Sequence, residues 1–189
     1  MIKNIIKIIL YINLIYSSCF VFTNASEIYH KNKLEKYFKD LKNSKNLDEA
    51  ISVERNIWNL WISHPDNQFL TNKLELGTEL MENGQHKYAY KIFSNIIFDD
   101  PNWSEAWNKR ATVLFLMKEY DLSLVDIEKT LDLEPRHFGA LSGRAQIYIN
   151  KAEYRKALEN LIQTQKIYPL AKGNEVIPRL QKLLNIEEI

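Results

Sequence analysis

Residues 101–135 read PNWSEAWNKRATVLFLMKEYDLSLVDIEKTLDLEP, with a proline at each end and apolar side chains spaced for two helices. Trp107, Ala111 and Leu114 are four and three positions apart, which puts them on one helical face. A second helix is predicted from about Asp121, an N-cap candidate, carrying Leu124, Ile127 and Leu131 at similar spacing. Pro135 has no amide hydrogen and disfavours α geometry in the residue before it, so that helix must end there. Small Ala111 and Ser123 let the two helices approach closely, and bulky Trp107 and Ile127 fill the space around the crossing. The stretch is a helical hairpin.

The hairpin recurs. Pro101, Pro135 and Pro169 stand 34 residues apart, and other positions align at the same step. Gly77, Ala111 and Ala145 form one column, and Leu80, Leu114 and Tyr148 another. Ala89, Ser123 and Ala157 form a third, and Phe93, Ile127 and Leu161 a fourth. Trp107 with Leu141 and Tyr120 with Tyr154 fall at the same interval. A single hairpin cannot bury both of its faces, whereas a stacked series can.

This pattern resembles the tetratricopeptide repeat family, whose period is 34 residues. The resemblance covers three units, 70–101, 102–135 and 136–169. Departures are Lys73 in a column that is usually a large aromatic, and Arg110 and Arg144 where leucine is common. The fold it implies is all-α: a solenoid of about three antiparallel helix hairpins. Residues 57–61 (Ile-Trp-Asn-Leu-Trp) and 135–145 are similar to small exported repeat proteins of alphaproteobacteria.

The ends look atypical, as the ends of a stack must. Residues 26–69 read as a looser helical pair, 29–42 and 47–63, either a degenerate first repeat or an N-terminal cap. Pro65 precedes Pro101 by 36 residues rather than 34, so the period slips here. In 170–189, Asn174 is a candidate cap for a last helix whose Val176, Ile177, Leu180, Leu183 and Leu184 would cover the third repeat. Pro178 falls in its first turn, where it costs little.

Residues 1–25 differ from the rest. Lys3 and Lys7 precede an uncharged, mostly apolar run at 8–22, followed by Thr23, Asn24 and Ala25. That order is a secretory signal peptide ending at Ala25. As a helix the run would span roughly 22 Å, short of a hydrocarbon core of about 30 Å. Its removal leaves a formal charge of −1 and no thiol, which suits the periplasm of a Gram-negative bacterium. Two alternatives stay open: a retained inner-membrane anchor, or a lipoprotein acylated at Cys19. Membrane association is expected only in those two cases.

Composition narrows the function. The 189 residues carry 25 Lys+Arg against 24 Asp+Glu and one cysteine, with 46% hydrophobic side chains. A near-neutral charge gives no global reason to bind nucleic acid. Lys31, Lys33, Lys36, Lys39, Lys42 and Lys45 crowd the first mature helix. Steps of three drift by about 60°, so these lysines are expected to wrap the helix as a solvated surface, weak docking to an acidic membrane or partner being the other reading. His30, His64, His86 and His137 are scattered without metal-ligand spacing, and no phosphate loop or nucleophile elbow occurs. No catalytic residue, metal or cofactor is expected.

What remains is the inner surface of the solenoid. The resemblance places groove-lining side chains at the second, fifth, ninth, twelfth and thirteenth positions of each repeat. The candidates are Thr78 and Met81; Asn108, Thr112, Phe115 and Leu116; and Ser142, Gln146, Ile149 and Asn150. Hydrogen-bonding groups mixed with apolar anchors suit a peptide or protein ligand. Gly139 and Gly143 stand where a basic clamp for a C-terminal carboxylate would sit. Their i, i+4 spacing leaves a bare stripe for a neighbouring helix or a bound segment. Arg110 and Arg144 are either contacts for an acidic motif or structural partners of Asp126 and Glu159. The expected role is an adaptor in the bacterial envelope. A membrane-tethered assembly subunit and a self-associating structural module are the alternatives, and the oligomeric state is left open.

Overall fold

The computed structural model describes residues 26–185, which form α-helices joined by short turns with no strand among them. The signal segment, Cys19, and the acidic pair Glu187–Glu188 lie outside the described residues. Helix α1 covers 26–43 and α2 Leu47–Ile62. Three hairpins follow: α3 Gln68–Glu82 with α4 His86–Asp99, α5 Ser104–Leu116 with α6 Tyr120–Leu133, and α7 Phe138–Asn150 with α8 Tyr154–Ile167. A 3-10 helix, Lys172–Val176, leads into α9, Ile177–Leu183. The chain is an all-α solenoid on the 34-residue step.

The size-matched columns build the crossings. Ala89, Ser123 and Ala157 are fully buried, and so are Phe93, Ile127 and Leu161 one turn further along. In the middle hairpin the Ser123 hydroxyl donates to the Ala111 carbonyl at 2.7 Å, so the two helices touch through their smallest residues. At Gly77 a Cβ would lie 2.6 Å from the Phe93 ring, so only glycine allows that packing.

The turns inside the hairpins share a geometry that the residue types conceal. Gly84, Lys118 and Ala152, again 34 apart, all adopt the left-handed region, with φ of 74°, 65° and 58°. Each sits just past a helix, and the next amide closes on the carbonyl five residues back: Gln85 on Leu80, Glu119 on Leu114, Glu153 on Tyr148. The second helix of each hairpin then starts from Gln85, Glu119 or Glu153 with no side-chain cap. Asp121 is therefore not the N-cap of α6. It sits in the first turn, where its carboxylate accepts from Lys151 across the repeat boundary.

At the C-terminal end, Ile177 and Leu180 bury against Ala157, Leu158 and Leu161, covering the third repeat. Leu183 points to solvent instead. Asn174 does not cap α9. Its amide donates to the Tyr168 and Pro169 carbonyls and pins the connecting turn, while Pro178 occupies the start of the helix.

The N-terminal pair departs most from the expectation. It is neither a stacked repeat nor a cap on the α3 end of the array. Instead α2 crosses the starts of α3, α5 and α7. Beyond its end, the His64 amide donates to Thr71 at the start of α3, and the Trp103 indole donates to the Trp61 carbonyl at 2.9 Å. Trp61 stacks on His137, and Trp58 lies against Gly139. Phe38 of α1, Trp61, Phe138 and Tyr168 close this core, and Tyr168 donates its hydroxyl to Glu54. Burial, aided by Glu54, pushes the Tyr168 phenol well above its ordinary value.

Candidate interaction groove

Docking of α2 divides the inner surface. Of the second positions of the three repeats, Gly139 lies against Trp58 of α2, Thr71 accepts from the His64 amide just past α2, and Glu105 bonds His137, on which Trp61 of α2 is stacked. Further along α5 and α7 the surface is open. There a pocket of about 170 Å³ is lined by Asn108, Thr112 and Phe115 of α5 and by Gly139, Gly143 and Gln146 of α7. Its floor is Ala111, Ser123, Ile127, Ala140 and Ile147. No charged residue lines it.

The pocket exists because the facing side chains are small. A Cβ at Gly143 would meet nothing closer than the Ile127 methyl at 3.9 Å, so the bare stripe leaves free volume there. At Gly139 a Cβ would lie 2.6 Å from the Trp58 ring, so the same stripe is filled by an indole one turn earlier. Packing against a neighbouring helix and space for a ligand divide between two glycines of one helix.

Asn108 is nearly buried, and its amide donates to Glu105 at 3.0 Å. Glu105 and His137 are both fully buried and meet at 2.9 Å. The Ala140 amide donates to His137 Nδ1, so Nε2–H donates to Glu105. The other Glu105 oxygen has only the Lys109 ammonium, at 3.6 Å. A chain of contacts thus runs from the Trp61–His137 stack to Asn108 at the edge of the pocket. A buried carboxylate is tolerable only with such partners.

The remaining candidates divide by position. Phe115 is half-buried beside Tyr120, and Leu116 is exposed. Thr112 lines the pocket and donates its hydroxyl to the Asn108 carbonyl. Gln146 and Asn150 are exposed and face each other along α7, and Ile149 is half-buried against the α8–α9 core. Ser142 lines a different cleft, with Tyr168 and Ala171 on the α8 side. In the first repeat Thr78 is half-buried and turned to its own helix backbone, and Met81 packs on the first-repeat core. Neither lines the pocket. Leu74, on the same helix, is core. Spacing on α5 and α7 alone missed the floor residues Ser123 and Ile127, which come from α6.

The two arginines point inward. Arg110 makes a two-pronged pair with Asp126, at 2.7 and 2.8 Å, and donates to Ser94. It lies over the Tyr90 and Trp107 rings. The Asp126 hydrogen bond holds its guanidinium above the ordinary value, with burial opposing. Arg144 donates to Asn160, the residue 34 positions after Asp126, and not to Glu159. Glu159 is exposed, one residue off the inward face.

No family model matches the chain. A TPR repeat-containing protein of Rhizobium etli is 32% identical over 139 residues, covering 74% of this chain and 68% of the relative. Among solved structures, the first TPR domain of Spaghetti (RPAP3), bound to an HSP90 peptide, is similar at a TM-score of 0.59 and 16% identity. That similarity covers 64% of this chain and 96% of the other. The Yersinia enterocolitica type III secretion chaperone SycD, in complex with a peptide of the translocator YopD, is similar at 0.55 and 17%, covering 65% and 95%. These two likenesses show the fold.

Proposed function

Because the chain belongs to the tetratricopeptide-repeat proteins, we propose that it is a non-catalytic scaffold that captures a polypeptide in the open half of its groove. The pocket between α5 and α7 carries this reading. It is preformed and apolar at its floor, with hydrogen-bonding groups from Asn108 and Gln146 at its edge. A volume of 170 Å³ accommodates a single apolar side chain, and the edge groups suit the backbone on either side of it. The domains of RPAP3 and SycD solved with bound peptides support peptide capture as a use of this fold. Gly139 and Gly143 leave the pocket side of α7 without a cation, which favours an apolar anchor over an acidic tail.

The proposed setting is the periplasm of a Gram-negative bacterium, with the chain exported by residues 1–25. The basic start, the apolar run and the small residues at 23–25 support this. A mature mass lacking those residues bears it out; a retained or acylated N-terminus at Cys19 replaces it with the tethered form.

The groove is tested by a photo-crosslinking residue at the exposed Leu116 position in cells. A discrete crosslinked polypeptide is expected, and Phe115→Ala with Gln146→Ala should remove it while helical content is unchanged. Undiminished crosslinking in that double variant moves the site elsewhere. Asn108 is a poor choice for this test because its loss also disturbs buried Glu105.

A further inference from the structure

The lysines of α1 do not wrap the helix. Lys45 lies beyond its end, in the turn before α2, and Lys33 leans over the Tyr29 ring at 5.1 Å. The other four share a side. At about 100° per residue, Lys31, Lys36, Lys39 and Lys42 fall within an arc of about 140°. Leu34, Tyr37, Phe38 and Leu41 point the opposite way, into the core that α1 shares with α2. All four lysines are exposed, and none has a carboxylate within ion-pair distance among the described residues. Glu35, the acid on the same arc, is engaged by Arg136 at 2.9 Å, so it does not neutralise them.

We propose that this face of α1 docks on an anionic phospholipid surface. Its charge is complementary to such a surface, and its start adds exposed Ile28 and Tyr29, the side chains that insert at a headgroup boundary. The apolar run at 8–22 ends just before α1 in the sequence, so the face stands beside a bilayer wherever that run is kept. The pocket between α5 and α7 contains no α1 residue, so a docked chain keeps its groove open. Nucleic acid fits the charge but gives no use to Ile28, and an acidic protein is the competing occupant that the test below separates.

Flotation of the full chain with phosphatidylcholine vesicles, with and without phosphatidylglycerol, tests this. Insertion of the apolar run contributes to both compositions, and its Lys3 and Lys7 are common to parent and variants, so the quantity read is the excess binding that phosphatidylglycerol confers, compared between them. That excess is expected to be present, to fall with salt, and to drop by at least about tenfold in Lys31→Glu/Lys36→Glu/Lys39→Glu/Lys42→Glu. The four Lys→Gln changes should lose part of it, and circular dichroism of both variants should match the parent. The absence of an excess, or an excess equal in the parent and the charge-reversed chain, overturns the proposal. So does binding to RNA or polyglutamate that the same substitutions abolish while the lipid excess stays unchanged.

Discussion

The indole of Trp61 lies on the imidazole of His137 with ring centres 3.9 Å apart and planes 9° from parallel. His137 in turn holds the buried Glu105 carboxylate, which holds Asn108. One stacked pair therefore joins the N-terminal helices to the edge of the pocket at Asn108.

Trp61→Ala removes that stack and the packing on Phe38 and Phe138. Truncating a buried tryptophan costs about 3–5 kcal/mol. Urea unfolding should show a loss of that size, and amide exchange should rise first in α1 and α2. A cost below about 1 kcal/mol would mean that the pair is not docked on the repeats in solution.

Arg110→Ala and Arg144→Ala occupy equivalent positions but should differ in cost. Removing Arg110 strands the buried Asp126 carboxylate, an uncompensated charge worth about 3–5 kcal/mol. Arg144 leaves only the neutral Asn160, for about 1–2 kcal/mol. Adding Asp126→Asn to Arg110→Ala should recover much of the larger loss. Equal costs in thermal melts would show that Asp126 is not charged in the fold.

Ala152→Gly should stabilise the chain by up to about 1 kcal/mol, because a side chain at φ of 58° is strained and glycine is not. Gly84→Ala should cost a similar amount at φ of 74°, although open space surrounds the position. Melting temperatures that moved in the opposite directions would refute the shared turn geometry.

Burial holds the His30 imidazole below its ordinary value near 6.5, with the Leu60 backbone opposing and His64 and Lys33 adding repulsion. The unfolded chain then takes up a proton before the folded one does. His30 contributes fully above about pH 6.5, and that stability is lost as pH falls through the lowered folded value. The slope of stability against pH just below 6.5 should be shallower in His30→Gln. An unchanged slope would assign it to another group.

Much of the repeat array was legible because its determinants are local and repeated. Prolines 34 apart stop three helices, and columns such as Ala89, Ser123 and Ala157 set three crossings. The groove was half legible. Phe115 and Gln146 follow from position along α5 and α7, whereas Ile127 reaches the same pocket from a helix whose own spacing marks it only as core. The left-handed turns were hidden because glycine, lysine and alanine occupy them in turn, and no residue preference survives that mixture.

Periodicity alone was enough to establish that helical hairpins recur at a constant interval, and the tetratricopeptide resemblance gave their stacking, which buries the second face that a single hairpin leaves exposed. Where α2 lies was settled only in three dimensions. Ile57, Trp58 and Trp61 would suit any apolar surface, and nothing local distinguishes the flank of α3 from the starts of α5 and α7. The choice belongs to partners far away in the chain: the bare Cα of Gly139, the flat ring of His137 and the carboxylate of Glu54 waiting for Tyr168.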